Sequence, residues 1–166
     1  SEYCDMLAIR AFASLNNKEK DESEVVIKSF LKYSKIPIIN MESATAHPLQ
    51  ALADAITIIE NKSKKRPKQH LTRPPQPKAY PQADPKSIVK IMKHMDVELS
   101  ITQPKEFELN PIITKDIKLY HNQSEAFKDV DFVYAKNWSS YKNYGHISKG
   151  NDDWIINKEK SSIFTR

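Results

Sequence analysis

The chain has 166 residues, 39% hydrophobic and 28% charged, enough for one ordinary domain or parts of two small ones; its recurring Ile, Leu and Val blocks exclude full disorder. The formal charge of +5 suits phosphate-bearing partners without choosing between nucleic acid and a small phosphorylated molecule. A single cysteine (Cys4) excludes a disulfide framework and a cysteine-based zinc site, and two glycines (Gly145 and Gly150) are too few for a dinucleotide fingerprint or a P-loop.

Met6 to Ala13 is an apolar run holding one charge, Arg10, as expected of a buried strand that delivers a cation at its end. Asp21 and Glu24 resemble a capping box, and Val26, Ile27, Phe30 and Leu31 follow at helical spacing, which predicts one helix over 22–34. Ile38 to Met41 is a second strand. Pro48 then opens a helix to about residue 60, with Leu49, Leu52, Ala53 and Ile56 as its stripe. The order strand, helix, strand, helix predicts an α/β fold whose parallel sheets are joined by crossover helices.

Residues 61–68 are a basic run without periodicity, and six of the ten prolines fall between Pro67 and Pro85. This predicts a boundary and a long irregular loop, with Gln69 to Thr72 as a short strand inside it. A helix restarts at Asp84-Pro85, carrying Ile88, Ile91, Met92 and Met95. Strands are expected at 97–102, 117–121 and 131–136, with a short helix at 124–128. No apolar run approaches the ~20 residues that cross a bilayer, and no signal peptide is visible. With neither in view a cytoplasmic location is expected, and because the chain begins without Met a preceding segment is expected too.

Ligands of open α/β sheets sit beyond the carboxyl ends of the strands, which points to Arg10, Glu42, the His47–Gln50 turn, the proline-rich loop and Lys136. His47 and Gln50 flank a helix start that offers free N–H groups to a carbonyl or phosphate oxygen; the alternative is that Gln50 caps its own helix. Arg10 requires an anion, either a bound phosphate or an internal carboxylate such as Glu2 or Asp5. Lys136 either binds a carboxylate or reaches water. The basic run lacks the interleaved aromatics of single-strand readers, so a solvated linker is expected and nucleic-acid binding is not. His70, His94, His121 and His146 have no metal-ligand spacing, and no metal is expected.

Ile9-Arg10-Ala11-Phe12, the run from Pro37 through Met41-Glu42-Ser43-Ala44-Thr45, and His47-Pro48-Leu49-Gln50 with Leu52-Ala53-Asp54 resemble the aspartate/ornithine carbamoyltransferase superfamily. With Tyr134-Ala135-Lys136-Asn137-Trp138, the likeness narrows to the branch acting on N-acetyl- or N-succinylornithine. The resemblance implies parts of two domains: residues 1–60 for the carbamoyl-phosphate side with its linking helix, and 61–166 for most of the amino-acid side. It implies that Arg10, His47 and Gln50 hold carbamoyl phosphate, with Arg10 on phosphate and His47 on the carbamoyl oxygen. Glu42 and Lys136 then bind the acylated ornithine. The implied parent is a cytoplasmic, cofactor-free homotrimer of arginine biosynthesis.

The sequence also departs from that pattern. The family's Ser-Thr-Arg-Thr phosphate loop, expected before Ser1, and its His-Cys-Leu-Pro motif, expected after Arg166, are not in this chain, so little or no catalysis is expected of it alone. Arg73 and Gln76 stand where the branch carries Trp and His, which bears on recognition of the acylated amino acid. The competing reading is a non-catalytic binding module built on the same fold.

Overall fold

The computed structural model describes residues 3–75, 77–147 and 152–163; Ser1, Glu2, Gln76, Gly150 and Arg166 lie outside them. Short aliphatic runs become strands, and every pairing among them is parallel. β1 (Leu7–Arg10) and β2 (Ile38–Glu42) make a two-stranded sheet. β3 (Lys68–Thr72), β4 (Glu98–Thr102), β5 (Lys118–Tyr120) and β6 (Phe132–Ala135) make a second sheet in the order β5-β4-β3-β6. The chain therefore steps outward from β3 to β5, then returns to place β6 on the other side of β3. That reversal falls at the carboxyl ends of β3 and β6, the place where open α/β sheets take their ligands.

β1 is shorter than the 6–13 expected of it, because its ladder ends where Ala11 N–H bonds to the Glu42 carbonyl (2.7 Å). The helix expected over 22–34 is two helices, α1 (Lys18–Glu22) and α2 (Val25–Tyr33). Asp21 and Glu24 form no capping box; Asn17 caps α1 instead. The Asp21 carboxylate accepts bonds from the Ser14 and Leu15 amides and from the Tyr144 hydroxyl. Glu24 takes the left-handed conformation (φ 54°), which breaks the helix and sends its carboxylate to the Ser43 hydroxyl and Thr45 amide.

α3 (Pro48–Asn61) and α4 (Ala83–Met92) pack on each other and on the second sheet. Ala55, Ile58, Leu71, Ile88, Val89, Met92, Ile101, Leu109 and Trp138 form this core. Each large aliphatic buried there contributes about 1.5–3 kcal/mol. The short α5 (Pro111–Thr114), not foreseen in the sequence, and α6 (Gln123–Ala126) connect β4 to β5 and β5 to β6. The segment after β6 returns to the first half of the chain. Gly145 there has φ +77°, and a Cβ on it would lie 2.1 Å from the Leu15 carbonyl oxygen, so one of the two glycines stands where no other residue fits.

His70, on β3, is completely buried, with Nδ1 2.7 Å from the Ser100 hydroxyl and Nε2 bonded to Thr102. Burial pushes its pKa down to about 4, against 6.5 in an unfolded chain. The unfolded state then takes up a proton that the folded state refuses. The resulting stabilisation, up to ~3 kcal/mol, is full above pH ~6.5 and is lost as the pH falls toward 4. Chemical denaturation across that window should show the unfolding midpoint dropping in the wild type and dropping less in His70→Gln; equal slopes would contradict the assignment.

Candidate functional site

Arg10 ends β1 and Glu42 ends β2, and a bulge between Ile9 and Arg10 sets these two residues opposite each other. The Arg10 guanidinium donates through Nε (2.9 Å) and Nη2 (2.7 Å) to one oxygen of the buried Glu42 carboxylate. Its internal partner is thus Glu42 and not Asp5. Half of the Arg10 side chain stays exposed, with its guanidinium 4.5 Å from the centre of the Phe12 ring.

The same Glu42 oxygen lies 3.4 Å from His47 Nε2. His47 is reached through the 43–46 turn that Glu24 pins, and its backbone N–H bonds to the Ser87 hydroxyl on α4 (2.8 Å). Pro48 starts α3, whose first turn has no side-chain cap. Gln50 does not cap its own helix: its Nε2 donates to Asp54 Oδ1, one turn on, at 2.9 Å. Arg10, His47 and Gln50, with Met41, Leu49 and Ala53, line one open cleft of about 320 Å³.

Behind that cleft, polar groups run on toward the second sheet. Lys136, just past β6, forms an ion pair with the buried Asp84 at the start of α4 (2.7 Å), so it does not simply reach water. Burial raises the Asp54 pKa; the Gln50 and Tyr134 hydrogen bonds pull it back, and the nearby Asp84 charge adds to the rise. Burial and the Asp54 and Asp84 charges push the Tyr134 hydroxyl well above its ordinary range. Asp54 therefore lies between Gln50 and His47 on one side and Tyr134 and Asp84 on the other.

A larger cavity, about 680 Å³, lies at the opposite, amino-terminal ends of the second sheet's strands. Arg66 and Lys68 of the basic run line it with Lys93, Lys115, Lys118 and Lys128, and none of the residues expected to bind the substrates does. The described residues hold no group of three or more His, Cys, Asp or Glu placed to bind a metal, and no helix long and apolar enough to cross a membrane.

Residues 1–60 match the family model for the carbamoyl-phosphate-binding domain of aspartate/ornithine carbamoyltransferases. The chain is 40% identical over 163 residues to an N-succinylornithine carbamoyltransferase of Bacteroides fragilis, covering 97% of this chain and 51% of that protein. The chain is related to the aspartate/ornithine carbamoyltransferases. An N-acetylornithine carbamoyltransferase of Xanthomonas axonopodis pv. citri is 29% identical over 159 residues, 87% of this chain and 46% of that protein. A crystal structure of an acetylornithine transcarbamylase complexed with acetylcitrulline superposes with a TM-score of 0.89 at 28% identity, covering 98% of this chain and 55% of that one. The chain spans about half the length of the curated relatives it matches.

Arg73, which the resemblance led one to expect as a departure from the branch, is accommodated inside the protein. It is buried, its Cζ lies 3.4 Å from the Phe107 ring centre, its Nε donates to the Trp138 carbonyl (2.8 Å), and its Nη1 has no hydrogen-bond partner among the described residues. A planar cation thus packs as an aromatic would, and burial lowers its pKa to about 10. Three residues of the site were missed in the sequence. Asp54 carried the signal of an i, i+4 partner for Gln50, and Tyr134 that of a strand neighbour two before Lys136. Asp84 was read only as a helix start.

Removing one partner of the Lys136–Asp84 pair strands a buried carboxylate. Lys136→Met should cost about 1–3 kcal/mol, moderated by the partial exposure of Lys136, and adding Asp84→Asn should restore most of it. A double-mutant cycle by urea denaturation checks this; additive losses would mean the pair is not coupled.

Proposed function

We propose that this chain takes part in carbamoyl transfer, holding carbamoyl phosphate in the cleft of Arg10, His47 and Gln50 and an N-acylated ornithine beside it. The observation that carries this is the convergence of those three side chains on one cleft at the carboxyl ends of β1 and β2. Match of residues 1–60 to a carbamoyl-phosphate-binding domain supports assigning that half to the phosphate side and residues 61–166 to the amino-acid side.

The chemistry follows from the groups present. Arg10 exchanges its Glu42 carboxylate for the phosphate, a switch between two charge-assisted pairs, while the uncapped first turn of α3 adds N–H groups. His47 donates to the carbamoyl oxygen and stabilises the negative charge that develops when an amine attacks the carbonyl carbon. The tetrahedral adduct collapses as the carbon–oxygen bond to phosphate breaks, and Arg10 neutralises the leaving group. Glu42, released by Arg10, is placed to accept from the incoming amine. Lys136 can exchange Asp84 for the substrate carboxylate.

The relatives' names, N-succinylornithine and N-acetylornithine carbamoyltransferase, support an N-acylated ornithine as the acceptor, and we propose that the reaction serves arginine synthesis. No cofactor enters this chemistry. We further propose a cytoplasmic homotrimer for the whole enzyme, with turnover by this chain alone low, because the Ser-Thr-Arg-Thr and His-Cys-Leu-Pro sequences are not within it.

Isothermal titration with carbamoyl phosphate tests the proposal. Binding should weaken at least about tenfold in Arg10→Ala, as expected for loss of a charge-assisted contact. A folded wild-type chain that binds no carbamoyl phosphate, or an Arg10→Ala chain that binds it equally well, would overturn the assignment.

A further inference from the structure

A glutamine amide can turn either its carbonyl oxygen or its NH2 group toward a ligand, and the two ends ask for opposite partners. At Gln50 the choice is constrained. Asp54 Oδ1 accepts from Gln50 Nε2 at 2.9 Å, and an ionised carboxylate has no proton to give in return. Turning the amide over would set two acceptor oxygens against each other.

Gln50 Oε1 has no hydrogen-bond partner among the described residues, and Gln50 lines the cleft with Arg10 and His47. Asp54 is half-buried, with Oδ1 taken by Gln50 and Oδ2 buried without a hydrogen-bond partner among the described residues. Its neighbours are Gln50 on the same helix, Tyr134 on β6, Asp84 on α4 and His47 at the helix start. Its carboxylate is therefore an acceptor packed between elements and not a free surface group.

We propose that Asp54 is a positioning residue that locks the Gln50 amide with its carbonyl oxygen toward the cleft, so that the site selects an acyl phosphate bearing an N–H donor over one that lacks it. The inference rests on the carbamoyl phosphate reading of the cleft and adds the source of its selectivity. Carbamoyl phosphate and acetyl phosphate differ by NH2 against CH3 at nearly equal size. The phosphate and carbonyl contacts are common to both, and only the first compound can donate to Gln50 Oε1. Missing that bond also leaves the oxygen without a partner when the cleft is filled.

The experiment is isothermal titration of wild type, Asp54→Ala and Gln50→Met with each of the two acyl phosphates. The wild type should prefer carbamoyl phosphate by about tenfold. Asp54→Ala frees the amide to turn, so its preference should fall to about twofold or less, while its affinity for acetyl phosphate stays near the wild-type value. A purely structural defect would weaken both ligands together and leave their ratio intact, and that result would overturn the proposal.

Gln50→Met removes the selecting oxygen without touching Asp54. It should abolish the preference even if Asp54→Ala fails to fold, and a retained preference would sink the idea. Wild type that binds neither acyl phosphate would instead refute the carbamoyl phosphate reading itself. Wild type that binds both equally would refute selection by Gln50 while leaving that reading intact.

Discussion

One carboxylate organises the cleft. Glu42 is buried, and a single oxygen of it accepts twice from Arg10 and lies 3.4 Å from His47. A buried charge of this kind is tolerable only when its partners are held in place, and the neighbouring structure supplies that restraint. The bulge in the first sheet brings Arg10 opposite Glu42, and Glu24 anchors the turn that carries His47. Arg10 is thereby stored in an ion pair that a stronger anion can displace. A phosphate, with more charge and more acceptor oxygens than a carboxylate, is such an anion.

The second half of the molecule is tied to this centre by polar contacts as well as by packing. His47 N–H bonds to Ser87 on α4, and Asp84 on the same helix pairs with Lys136. Asp54 lies between the two sides, accepting from Gln50 and neighbouring Tyr134. Lys136 and Arg73 both follow strands at the point where the sheet order reverses, the position at which open α/β sheets take their ligands. Arg73 nevertheless turns inward and stacks on Phe107, leaving Lys136 as the cation at that edge whose only described ion-pair partner, Asp84, can be exchanged.

Much of this was legible in the sequence because the strands are short apolar runs with period-appropriate helices between them. Arg10, Glu42 and Lys136 stood out because each follows or ends such a run, and His47 and Gln50 because they flank a helix start. The broken helix at 22–24 was not legible. A helical pattern continues through Glu24, and only the distant Ser43 and Thr45, which its carboxylate holds, explain the left-handed turn. The Arg10–Glu42 pairing was missed because it spans 32 residues and depends on a one-residue bulge. Asp84 was hidden behind its role at a helix start, since a sequence does not show which way a first-turn carboxylate points. Side-chain choices that depend on tertiary contacts were the part that pattern reading could not reach.

The central claim is that a phosphorylated acyl group is held at the meeting point of Arg10, His47 and the first turn of α3. Proton–nitrogen correlation spectra recorded during titration with carbamoyl phosphate test it directly, because they locate the ligand. The account predicts that the Arg10 Nε–H, the Gln50 side-chain amide and the backbone amides of Leu49 and Gln50 move together and saturate together. Saturating shifts confined to the basic cavity around Lys93, Lys115, Lys118 and Lys128, with the Arg10 and Gln50 signals unmoved, would contradict it.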